Sequence, residues 1–229
     1  MLLTSNYDSV QGIDRLIVIF FSICMILGVF LIGLIILMKM RKTDIVSSRR
    51  FLIGAASFAI FIGYGRIVFL YHDYFAPDSI DNPLWTLASG LSLISLTSIN
   101  FVIERYIFQR TKMVASVIAI ICIVLVLILG FMNMVSYAKI PMYLGTGVVI
   151  VIPFFIYIYI AKISTGSLRH QAMIIISGML VMFVAQVGGM LLFTLKIFDV
   201  VASQLFGILI AFVGVVILSI GFVKSPTAR

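Results

Sequence analysis

Charge is what this chain has least of. Asp, Glu, Lys and Arg make up only 10% of its 229 residues, against roughly 25% in a typical soluble domain. Hydrophobic types account for 63% and the mean hydropathy is +1.27. Too few polar side chains exist to coat a globule in water, so lipid must be the solvent. The shortage of Asp, Glu, Pro and Gly runs also excludes a disordered or collagen-like chain. The fold class this predicts is all-α: one polytopic membrane domain over 1–229.

Seven stretches are long and apolar enough to cross a hydrocarbon core of about 30 Å, which takes roughly 20 helical residues. They are 16–38, 51–71, 85–108, 113–134, 142–162, 171–193 and 200–223. Each is a continuous apolar run without the alternation of a transmembrane β-strand, so helices are expected. The breaks are polar or turn-forming, among them Arg41-Lys42-Thr43-Asp44, Ala76-Pro77-Asp78, Asp81-Asn82-Pro83, Gln109-Arg110-Thr111-Lys112 and Thr165-Gly166-Ser167. Connections this short force successive helices to run antiparallel as neighbours. A cleaved signal peptide is not expected, because Asp8 and Asp14, rather than a basic segment, precede the first span.

Further absences narrow the chemistry. Two cysteines, Cys24 and Cys122, cannot make a disulfide framework; both fall within spans and read as small packing residues. The two histidines, His72 and His170, lie at opposite ends of the expected bundle, and no span holds an aspartate. That leaves no metal-ligand cluster, and no basis for an intramembrane aspartyl or serine–histidine site. Span 200–223 has no lysine, so no Schiff base for retinal is available. No cofactor is therefore expected. Glu104-Arg105-Tyr106 echoes the acid-Arg-Tyr end of helix three in rhodopsin-like receptors. The other marks of that family, including prolines in spans six and seven and a loop disulfide, are missing.

The few charges present are distributed unevenly. With the N-terminus outside, twelve cations fall on the inner side (Lys39 to Arg50, Arg105 to Lys112, Lys162, Arg169, Lys224 and Arg229), and three, Arg15, Lys139 and Lys196, outside. Asp8, Asp14, Asp73, Asp78, Asp81 and Asp199 all fall outside. Lys and Arg concentrate in short cytoplasmic loops, which predicts an N-out, C-in multi-pass protein of the cell membrane. The net charge of +8 is then an orientation signal and an attraction to anionic headgroups of the bilayer, with no nucleic-acid partner implied. Trp85, Tyr71, Tyr74, Tyr137 and Tyr143 read as the outer aromatic belt.

Polar groups inside the spans carry what functional signal there is. On helix three Trp85, Thr86, Ser89, Gly90, Thr97, Asn100 and Glu104 fall within about 140° at 100° per residue, a stripe that must face protein. Ser95 and Ser98 break the opposite face. Depth sorts the candidates into two layers. An outer set of Tyr64, Arg66, Trp85, Ser89, Gln186 and Gln204 would suit a small pocket for an anionic or polar ligand. Arg66 could equally snorkel to the interface or meet the acids of 72–83. An inner pair, Asn100 and Glu104, would be buried and would couple to the basic end. Gly207, Ala211 and Gly214 make a smooth stripe for helix contact.

Three local stretches carry a resemblance. They are Arg66 through Tyr71-His72-Asp73-Tyr74 closing helix two, Leu84-Trp85 opening helix three, and Phe101-Val102-Ile103-Glu104-Arg105-Tyr106 closing it toward Lys112. In these and in the spacing of its spans the chain resembles compact stand-alone seven-helix proteins of archaeal type. Those are similar to the seven-helix input regions of sensor histidine kinases. No phospho-accepting helix or ATP-binding domain is expected after span seven, so signalling would pass through a separate membrane or cytoplasmic partner. The expectation is a non-catalytic sensor or receptor-like bundle. The alternatives are a small-solute or ion transporter and an accessory subunit of a membrane complex.

Overall fold

The computed structural model describes residues 12–44, 46–194 and 199–223. Seven helices are long and apolar enough to cross a membrane. They are α1 (Gly12–Arg41), α2 (Val46–Tyr74), α3 (Asp81–Val102), α4 (Val114–Phe131), α5 (Val135–Ile163), α6 (Gly166–Thr194) and α7 (Val200–Val223). Among the described residues no strand occurs. Sequential helices pack side by side and α7 returns to α1, closing a ring, while α3 also reaches α5. One end of the bundle carries Asp14, Asp73, Asp81 and Asp199; the other carries the basic turns around 41–50, 105–112 and 162–169. These are termed the acidic and basic ends.

Helix ends depart from the expected spans for local reasons. Asp81-Asn82-Pro83 is the first turn of α3 and not a break. A proline there loses nothing, since the first N–H groups of a helix have no partner within it. α5 starts at Val135 and carries Pro141 and Pro153 inside it. Pro153 offers no N–H to the carbonyl of Val149, a loss that lipid-embedded bundles tolerate where neighbouring helices enclose the site. α4 ends at Phe131 in a Schellman cap. Asn133 takes φ 60°, its N–H reaches Gly130 O at 3.0 Å, and that of Met134 reaches Leu129 O at 2.8 Å.

Lipid tails are as apolar as leucine, so helix contact here depends on close packing and hydrogen bonds rather than on exclusion of water. α6 and α7 meet across Gly178 and Gly214. A Cβ at Gly178 would lie 2.7 Å from Leu218 Cγ and 2.8 Å from the Leu218 backbone nitrogen. Gln171 Nε2 adds a hydrogen bond of 3.0 Å to Gly221 O. α3 is buried on both sides. Its expected apolar face meets α2: Ser95 donates to Phe58 O at 2.8 Å and Ser98 to Gly54 O at 3.5 Å. Cys122 is buried, but Cys24 is exposed on α1 and corrects its reading as a packing residue.

Candidate functional site

The inner pair is built around the start of α4. That helix begins after Lys112 (φ 47°) and Met113 (φ 62°), two successive non-glycine residues in the left-handed region, which is costly for side-chain-bearing residues. Neither supplies a side-chain cap. Glu104 does so from α3's terminal π-helical turn, Ile103–Ile107. Its Oε1 accepts the Ala115 N–H at 3.2 Å; its Oε2 accepts the Ser116 N–H at 2.8 Å and the Ser116 hydroxyl at 2.5 Å. The carboxylate is fully enclosed and faces a helix N-terminus, where the orphan N–H groups and the helix dipole favour an acceptor.

Asn100, one turn before Glu104, is also fully enclosed. Neither Oδ1 nor Nδ2 has a hydrogen-bond partner among the described residues. Between Asn100 and the acidic end the stripe is interrupted. Leu93 is buried with Ile123 and Val126 of α4, which separates Thr97 and Asn100 from Ser89.

The outer candidates are distributed over several interfaces. Tyr64 is 52% exposed and packs edge-on to Phe30 of α1 at 5.3 Å. Arg66, about 200° further round α2, is half-buried. Trp85 is half-buried beneath the Lys139 ammonium of α5, 5.9 Å from its ring, a cation–π distance. Ser89 is enclosed, and its hydroxyl has no partner among the described residues. The side chain of Gln186 lies outside the described residues. Gln204 accepts the Tyr74 hydroxyl proton through Oε1 at 2.9 Å.

That last contact exposes a site the sequence reading passed over, the end of α2. Three neighbouring helices are tied there. From α1, Arg15 donates to the Tyr74 carbonyl and stands 5.8 Å from the ring centroids of Tyr74 and Phe75. From α7, Gln204 holds the Tyr74 hydroxyl. Toward α3, His72 stands between two carboxylates, Nδ1 2.6 Å from Asp73 Oδ1 and Nε2 2.8 Å from Asp81 Oδ1. The Nε2 contact is close but off the direction of a hydrogen bond. The carboxylates sit on opposite ring nitrogens and so do not converge on one point. Among the described residues no group of three or more His, Cys, Asp or Glu is placed to hold a metal ion. The legible signal was His72-Asp73 directly after an apolar span, with Asp81 just beyond a proline turn.

The described cavity lies elsewhere. It measures about 50 Å³ and is walled by apolar side chains, among them Phe58, Ile99, Pro153, Met182 and Leu218. Phe183 of α6 also lines it and is 51% exposed. Comparison with known proteins gives no match to a family model, a curated protein or a solved structure.

Proposed function

We propose that the chain is a non-catalytic sensor or receptor-like protein of the cell membrane. In this reading the acidic end and the N-terminus face outward, the basic end and C-terminus face inward, and a separate protein partner reads its state. The orientation rests on the cation bias of the connecting turns. The observation that carries the functional reading is the convergence of α1, α3 and α7 on the end of α2 through Arg15, His72 and Gln204. A change at that point acts on several helices at once, which is what conversion of an outside condition into a bundle rearrangement requires.

Transport is the weaker reading, because Leu93, Ile123 and Val126 interrupt the polar stripe of α3. The accessory-subunit reading draws support from the apolar space lined in part by the exposed Phe183 of α6, which suits a neighbouring apolar surface. The test is made in proteoliposomes. The sensor reading expects no sustained flux of protons, Na⁺, K⁺ or Cl⁻. It also expects a change in reactivity of a thiol probe at position 44 when conditions change only on the acidic side. Flux that Asn100→Leu or Glu104→Gln abolishes would overturn it.

A further inference from the structure

His72 lies one residue past the apolar segment 51–71, in the last turn of α2. Its side chain is 6% exposed and is flanked by carboxylates of its own helix and of α3. An imidazole carries the positive charge that attracts both carboxylates only when it is doubly protonated. The short Asp78–Ile80 turn connects the two helices, held by the Ile80 N–H on Pro77 O at 3.0 Å and the Phe75 N–H on Tyr71 O at 2.9 Å. Little else in that turn is buried: Phe75, Pro77, Ser79 and Ile80 are exposed. The ionic contact therefore spans a loosely packed hairpin.

We propose that the α2–α3 hairpin is a proton-operated clasp: the His72 imidazolium holds Asp81 at the start of α3 to the end of α2, and loss of its proton releases the turn. This deepens the sensor reading by naming the proton as the ligand of the acidic end, and it rests on that reading for its consequence at the basic end.

Among the described residues the charged groups around the clasp are Asp73 on α2 and Asp81 on α3. At the same end are Asp14 and Arg15 of α1, the latter engaged with the Tyr74 carbonyl, and Asp199, whose Oδ1 accepts the Ala202 N–H at 2.7 Å. Arg66 lies further down α2. Carboxylates beside both ring nitrogens favour the protonated imidazole over the neutral one. The clasp is then fully closed below the unperturbed value of about 6.5 and is lost as the proton leaves at higher pH.

Two histidines make the test direct. In nanodiscs, ring resonances of His72 and His170 are followed with pH, and His170→Gln assigns them. Hydrogen exchange of the 75–81 amides, corrected for intrinsic rate, is measured in parallel. The clasp expects His72 to titrate above about 6.5 and hairpin exchange to rise roughly fivefold through the same midpoint. His72→Gln should flatten the pH dependence, and Asp81→Asn should lower the midpoint while leaving the hairpin open. A midpoint at or below the ordinary value overturns the clasp, as does equal pH dependence of hairpin exchange in His72→Gln. If that variant does not fold, the titrations of wild type and Asp81→Asn decide. A hairpin that opens with pH while the probe at position 44 stays unchanged upholds the clasp and removes the sensor reading.

Discussion

Glu104 and Ser116 are joined twice: one carboxylate oxygen accepts both the backbone N–H, at 2.8 Å, and the hydroxyl, at 2.5 Å. With Ala115 N–H on the other oxygen, the end of α3 supplies the cap that α4 lacks. The same carboxylate holds the left-handed Lys112-Met113 turn in place. Burial of this acid is thus accounted for by architecture, without a ligand.

Glu104→Ala should destabilise the bundle by about 2–4 kcal/mol, because two buried N–H donors and the Ser116 hydroxyl lose their acceptor. Glu104→Gln should fall between the variant and wild type, since one oxygen is replaced by an amide group that faces a donor. Denaturant titration in mixed micelles reads both. Equal stability of wild type and Glu104→Ala would show that α4 is capped by something else.

Asn100 carries the opposite expectation. Its amide is enclosed with no partner among the described residues, a burden of roughly 1–3 kcal/mol. Asn100→Leu should leave stability unchanged or raise it in the same titration. A loss above about 1 kcal/mol would mean that the amide is satisfied by bound water or a ligand and has a positive role.

Much of the architecture was legible in the sequence, because a helix crossing lipid must be continuous, apolar and of set length. All seven helices follow from that constraint, as does the inward stripe of α3, whose polar groups have no place in hydrocarbon. Helix ends were less legible. Proline is ambiguous between a break and a first turn, which is why Pro83 falls inside α3 and Pro141 inside α5. The side-chain partnerships were not legible: Glu104 with Ser116 and Tyr74 with Gln204 depend on how helices meet in three dimensions. The proposed outer set failed to specify facing for a related reason. Depth along a helix sorts residues into layers, but Tyr64 and Arg66 share a layer and point to different sides of α2.

The α6–α7 contact should be intolerant of a single methyl group. Gly178→Ala would press a Cβ against the Leu218 backbone and cost about 1–3 kcal/mol. Gly147, also within a helix, has nothing within 4 Å of a Cβ, so Gly147→Ala serves as the control and should be neutral or slightly stabilising. Similar losses in both variants would contradict the close approach.

Tyr74 and Gln204 should be energetically coupled. A double-mutant cycle of Tyr74→Phe and Gln204→Ala is expected to give an interaction of about 0.5–1.5 kcal/mol. Additive effects would remove α7 from the junction at the end of α2.

Everything assigned to the acidic end depends first on its facing outward. Ser79→Cys in the α2–α3 turn and Asp44→Cys in the α1–α2 turn, both exposed positions, are probed with a membrane-impermeant thiol reagent on intact cells, in a background lacking Cys24 and Cys122. The account predicts labelling at position 79 from outside and labelling at position 44 only after permeabilisation. Labelling of position 44 on intact cells, with position 79 protected, would contradict it.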